Sequence, residues 1–127
     1  MELPTQKEEI KMVKNYNINS DKNHLFSFKI TNLTTSIELD VIFQDEIIQH
    51  IFNKKYSYEE LRKISKYFLL HETIDEIYDD IILLMNKNQT KILEENKSIK
   101  ICIPIDSIKI KELNIFYFKI YIFLNFK

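Results

Sequence analysis

Polar and apolar positions alternate along two stretches early in the chain, and a period of two is the signature of a half-buried strand. From His24 onward, Phe26, Phe28 and Ile30 point one way while Ser27, Lys29 and Thr31 point the other. After a polar turn at Asn32–Thr35 the pattern returns, with Ile37, Leu39, Val41 and Phe43 inward and Glu38 and Asp40 outward. The two stretches read as a hairpin. Residues 1–23, rich in Lys, Glu and Asn, read as a flexible polar leader with a short helical turn around Glu8–Val13. Glu46–Tyr56 is ambiguous. Ile47, Ile48, Ile51 and Phe52 suit a turn and a half of helix, but the β-branched and aromatic content favours a third strand.

The period then changes. Ser57-Tyr58-Glu59-Glu60 is a capping box, in which the Ser hydroxyl takes the amide three residues on and Glu60 reaches back to the cap. Leu61, Ile64 and Phe68 follow at helical spacing. Thr73-Ile74-Asp75-Glu76 repeats the device, followed by a core stripe of Ile77, Ile81, Leu84 and Met85 that Tyr78 and Ile82 widen. Each cap contributes roughly 1 kcal/mol. The pattern predicts a helical hairpin joined near Leu70–Glu72.

Alternation resumes in Thr90–Glu94 and Ser98–Ile105 around an Asn96-Lys97 turn, with Ile99, Ile101, Ile103 and Ile105 on one face. Pro104 has no amide proton for a ladder, which places it at an edge or a strand end. A last run, Leu113 to Phe126, puts Phe116, Phe118, Ile120, Ile122 and Leu124 on one face. Interrupted by Lys119, it is too short and too broken for a transmembrane helix. Residues 113–127 are open to two readings, a strand that completes the sheet or the product of an inaccurate gene model.

Composition changes the picture in three ways. The 127 residues suit one domain, 24–127 after the leader, that buries roughly two thirds of its unfolded surface. The chain has 23 Ile, 17 Lys and 11 Asn but no Gly, Ala or Trp, a skew toward AT-rich codons such as many protist genomes show. Little weight therefore falls on any single lysine. Without glycine, phosphate-cradling loops and nucleophile elbows lack the residue that lets the backbone turn tightly. A single cysteine, Cys102, cannot form an internal disulfide, and the polar N-terminus has no signal-peptide core. An intracellular, reducing compartment is expected, with a cytoplasmic location.

Candidate chemistry is sparse. His24, His50 and His71 fall into no zinc-ligand spacing, and neither Cys102 nor the serines lie in a motif that activates a nucleophile. No catalytic residue, metal or cofactor is assigned, and the protein is read as no enzyme. Asp75, Glu76, Asp79 and Asp80 give helix two an acidic face, which suits the positive end of a helix dipole. Arg62, Lys63 and Lys66 give helix one a basic face. The candidate partner-binding set is therefore Arg62, Lys63, Lys66, Asp75 and Asp79, with Tyr117 and Tyr121 from the last strand. The tyrosines, with Lys109, Lys111 and Lys119, also carry the alternative reading of a nucleic-acid-binding accessory subunit. A net charge of −1 makes nucleic acid the weaker expectation.

The block from Tyr56 to Ile105 resembles a segment of an uncharacterised protist domain family, ciliate in particular, through Tyr56, Ser57, Glu60, Leu61, Phe68, Thr73, Ile74 and Glu76. In that family a β region precedes the motif and a β-hairpin follows, often leading into a coiled coil. All the matching positions are cap or core positions, so the resemblance implies architecture and transfers no site. The order of elements is also similar to the head domain of end-joining scaffold factors and of the centriolar cartwheel protein, which act by self-association. Together these readings give an α+β fold, an antiparallel sheet on a central two-helix hairpin in the order βββ-αα-βββ. The expected function is a non-enzymatic protein-interaction module or small structural subunit of an intracellular assembly, with a cytoskeletal or ciliary setting included. Its partner is another protein or a second copy, and an apolar patch from the C-terminal strand is expected.

Overall fold

A computed structural model describes residues 9–44, 49–95, 98–105 and 118–125. The fold is α+β, as the pattern predicts, but its strands divide into two antiparallel sheets. The first is a meander of β1 (Met12–Asn19), β2 (Leu25–Asn32), β3 (Ser36–Gln44) and β4 (Gln49–Ser57). Two α-helices follow, α1 (Tyr58–Ile64) and α2 (Ile74–Met85), with a 3-10 helix, Lys66–Leu70, between them. The second sheet is a meander of β5 (Lys91–Glu95), β6 (Ser98–Ile105) and β7 (Phe118–Asn125).

The inward faces of both sheets and one side of α2 form a single buried cluster. Phe26, Phe28 and Ile30 of β2 lie beside Ile37, Leu39 and Val41 of β3, with Ile99, Ile101 and Ile103 of β6 and Ile122 and Leu124 of β7 in the same core. α2 contributes Ile77, Tyr78, Ile81, Leu84 and Met85, the stripe its spacing predicts. The Tyr78 hydroxyl donates to the Ile30 carbonyl at 3.1 Å inside that core, which satisfies a polar group that burial would otherwise penalise. Burial, with smaller contributions from Tyr16 and Asp79, pushes the Tyr78 hydroxyl up to about 12. On the outer face of the first sheet, Lys29 stands opposite Asp40 and Glu38 opposite Lys55.

The sheets also meet at their edges, β1 with β5 and β4 with β7. At the first seam Ser20 bridges Ile92 in parallel and the Asp21 amide donates to the Ile92 carbonyl at 2.9 Å. Glu94 binds this seam with one oxygen, which accepts from the Ser20 hydroxyl at 2.5 Å and contacts His24 Nδ1 at 2.7 Å. The β1–β2 turn is thereby tied to the second sheet.

Four corrections to the sequence reading follow. Residues 12–19, assigned to a leader and in part to a helical turn, form β1, paired with β2 over its whole length. Only Tyr16 and Ile18 pack toward the core there, and an edge strand needs few apolar residues when its neighbour supplies the ladder. With Glu46–Tyr56 resolved as strand over Gln49–Ser57, four strands precede the helices instead of three. There are two sheets, not one, with β1–β4 in the first and β5–β7 in the second. The first helix stops at Ile64, short of the predicted joint near Leu70. Ser65 is extended (φ −149°, ψ 136°), and its side chain accepts from the Tyr67 amide, a local bond that competes with helical continuation.

Other expectations hold. Ser57 caps α1 with both halves of the capping box at 3.2 Å, and Thr73 caps α2 through the Glu76 amide. At the second cap the Glu76 carboxylate reaches the Glu72 amide instead of that of Thr73, so the box is half formed. β5 and β6 pair as a hairpin, and Pro104 lies two residues past Cys102, the last β6 residue paired with β5. β7 pairs with β6 from Ile105↔Phe118 to Ser98↔Asn125, so residues 118–125 take the strand reading. The remainder of that run, with Phe116, and the Asn96-Lys97 turn lie outside the described residues. In a chain with no glycine, Asn23, Thr34 and Asn88 occupy left-handed backbone positions among the described residues. Asn tolerates that region, whereas a β-branched Thr is strained in it.

Candidate interaction surface

The connection between the helices gathers polar side chains around one carboxylate, that of Asp80. Because Ser65 breaks the helix, the next residues wind as a 3-10 helix anchored by Phe68, which is fully buried. Tyr67 is buried beside it and donates its hydroxyl to Asp80 Oδ2 at 2.6 Å. His71 Nε2 meets the same oxygen at 2.5 Å, and the Tyr58 hydroxyl of α1 donates to the His71 carbonyl at 2.5 Å. α1, the 3-10 helix and α2 are thus joined through Tyr58, Tyr67, His71 and Asp80. Burial first, then the Asp80 bond and charge, raise the Tyr67 hydroxyl, which keeps it a donor. His71 Nδ1 is buried without a partner.

This anchoring has an outward consequence. Tyr67 and Phe68 face inward, so the next two residues of the tight turn, Leu69 and Leu70, are 50% and 60% exposed. Asp80 lies beside them on α2, and Leu83, three residues further along that helix, is 50% exposed. Glu72, Glu76 and Asp79 are exposed around the same ridge. A second exposed apolar group, Leu25 and Ile51, lies on the outer face of the first sheet, where Ile42 pairs with Ile51.

The predicted partner-binding residues are distributed differently. Arg62 turns back within α1, to Glu59 at 3.7 Å and over the Tyr58 ring at 5.2 Å. Lys63 is exposed, while the side chain of Lys66 is not described. Asp75 accepts from Lys11 and from Asn32 Nδ2 at 2.9 Å, so it serves the contact between α2 and the start of β1. Those two bonds hold its carboxyl below the usual range. Asp79 remains exposed. Tyr117 lies outside the described residues, and Tyr121 is placed in β7 opposite Cys102 with its side chain not described. In β7, Ile122 and Leu124 face the core, so neither adds to the expected C-terminal apolar patch.

The bonds of Tyr67 and His71 to Asp80 and the outward turn of Leu69 and Leu70 escaped the sequence reading, which placed Asp80 on an acidic face and His71 in a turn. The available signal was the run Tyr67-Phe68-Leu69-Leu70, four large apolar residues in a row, which no amphipathic helix can bury on one side.

Little else suggests chemistry. His24 stacks on Phe43 at 4.5 Å and His50 stacks on the same ring at 5.3 Å. Among the described residues no group of three His, Cys, Asp or Glu side chains is placed to hold a metal ion, and no helix is long and apolar enough to cross a membrane. A cleft of about 240 Å³ between β1 and the turn after α2 is lined by Tyr16, Asn17, Asn19, Met85 and Asn88. Its lining mixes polar side chains with Ile18 and Met85 and carries no charge, and it is smaller than most ligand pockets. Comparison with known proteins adds no family assignment: no protein-family profile, curated protein or solved structure matches this chain.

Proposed function

We propose that this protein is a non-enzymatic interaction module, a small structural subunit that binds another protein. The observation that carries the proposal is the placement of large apolar side chains outside a core that is otherwise closed. Single exposed leucines are ordinary, but adjacent ones mark contact surfaces. Leu69 and Leu70 are neighbours in sequence, with Leu83 exposed on the helix that anchors them. The histidines support the same reading, since His24 and His71 make structural contacts with Glu94 and Asp80 and His50 stacks on Phe43.

The likeness to protist domains that precede coiled coils, and to scaffold and cartwheel heads, supports a place in an assembly with a cytoskeletal or ciliary setting. The nucleic-acid alternative gains nothing from the first sheet, where Lys29 and Lys55 stand opposite Asp40 and Glu38. Affinity capture of the full chain from cells that express it, followed by cross-linking mass spectrometry, tests the proposal. The expected result is a stoichiometric protein partner cross-linked to this chain. Recovery of nucleic acid with no protein overturns it.

A further inference from the structure

We infer that the ridge formed by the 3-10 helix and α2 docks a lysine- or arginine-rich amphipathic helix of a partner protein, through Leu69, Leu70 and Leu83 with Glu72, Glu76 and Asp79. The inference rests on the interaction-module reading and gives it a surface and a partner chemistry.

Three observations place these side chains together. Tyr67 and His71 both bond Asp80, which fixes the 3-10 helix beside the middle of α2. At 3.6 residues per turn, Glu76, Asp79 and Leu83 fall within an arc of about 60°. Asp80 borders that arc on the side of the 3-10 helix. Leu83 therefore lies between Asp79 and Glu76 around the helix, and the 3-10 helix with Leu69 and Leu70 lies on the Asp80 side.

The charge on the ridge selects the partner. Glu72, Glu76 and Asp79 are exposed, and the Glu76 carboxylate accepts from the Glu72 amide. Lys87 stands a turn beyond Leu83, at the end of the ridge. Lys63 and Arg62 belong to α1, and Arg62 is turned toward Glu59 and Tyr58. An apolar centre rimmed by acids complements a helix with an apolar stripe flanked by bases. A strand is a poorer fit, because helices offer no free ladder of backbone donors and acceptors. With only three half-exposed leucines, the contact is small and the affinity modest, on the order of 10–100 µM.

The test titrates the isotope-labelled full chain with a 15-residue peptide of Leu and Lys carrying leucines at i, i+3, i+4 and i+7, followed by NMR. The controls are a scrambled peptide of the same composition and one with Glu in place of Lys. Amide shifts confined to residues 69–72 and 76–83, weakened tenfold or more in the Leu70→Ser/Leu83→Ser variant and several-fold by added salt, are expected. Both leucines are half exposed, so that variant keeps the melting temperature within a few degrees, and the circular dichroism melt checks this. Absence of binding, equal binding of either control peptide, or shifts centred on Leu25 and Ile51 overturns the inference. So does sedimentation showing a dimer that the same double variant dissolves, since the ridge then serves a second copy. If the double variant keeps its captured protein partner, this surface is wrong while the interaction-module reading stands.

Discussion

Removing the Asp80 carboxylate tests the anchoring of the interhelical segment directly. Its Oδ2 receives the Tyr67 hydroxyl at 2.6 Å and His71 Nε2 at 2.5 Å. Hydrogen bonds to a charged acceptor contribute roughly 1.5–3 kcal/mol each, and stranding a buried donor costs about 1–3 kcal/mol. The His71 and Asp80 side chains are 11% and 20% exposed, so water recovers part of that loss. Values at the low end are appropriate, and Asp80→Ala is expected to cost about 3 kcal/mol. Asp80→Asn keeps one acceptor oxygen, which can take both donors as Oδ2 does, but it loses the charge that roughly doubles the strength of each bond, and it costs about half as much. With a urea dependence of roughly 1–3 kcal/mol per molar, the alanine variant lowers the unfolding midpoint by about 1–3 M.

Hydrogen exchange locates the effect. The amides of residues 66–71 lose protection before those of β2 and β3, because the 3-10 helix opens without the sheets. A double-mutant cycle with Tyr67→Phe completes the assay, and a coupling energy of about 1 kcal/mol or more is expected between directly bonded groups. A loss below about 1 kcal/mol for Asp80→Ala, or the same loss for alanine and asparagine, refutes the reasoning. The first result means that Phe68 alone holds the segment in place, and the second that the charge, not the number of bonds, sets the cost.

Three further expectations can be measured on the same protein. Ser57→Ala and Thr73→Ala each lower stability by about 1 kcal/mol, and in the double variant the losses add, since the caps serve separate helices; chemical denaturation of the three variants checks this. Tyr56 and Tyr78 both have hydroxyls pushed up to about 12, Tyr56 by burial and then by Glu60. A raised folded pKa gives stability that is complete below the ordinary tyrosine value of about 10 and is lost as pH rises toward 12. Melting temperature should therefore fall over that window, and less so in Tyr78→Phe. Thr34 has φ of 77° and offsets part of its strain through Asn32 Oδ1, which accepts its amide at 2.8 Å. Thr34→Gly relieves a conformational cost of about 1–2 kcal/mol, loses some of that to unfolded-chain entropy, and should raise the thermal midpoint by a few degrees.

The sequence by itself determined the elements whose causes are local. Ser57 and Thr73 start helices because a hydroxyl and an amide three residues on are neighbours in any helix. The strands of Phe26–Ile30, Ile37–Val41 and Ile99–Ile103 show one apolar face each at a period of two. Only the tertiary structure decided the rest. β1 has few apolar residues and exists because β2 offers it a ladder over eight residues. The end of α1 at Ile64 depends on Ser65 and on Tyr67, Phe68 and His71 finding places against α2, none of which spacing reveals. The division into two sheets, their seam at Glu94 and the outward turn of Leu69 and Leu70 depend on contacts between residues far apart in the chain. Asp75 illustrates the limit most clearly. Its place on α2 is readable from the pattern, but its engagement by Lys11 and Asn32 is fixed by how β1 and β2 lie against that helix. Local bonding rules are written in neighbouring residues, whereas the choice of a long-range partner is made by the free energy of the whole packed core.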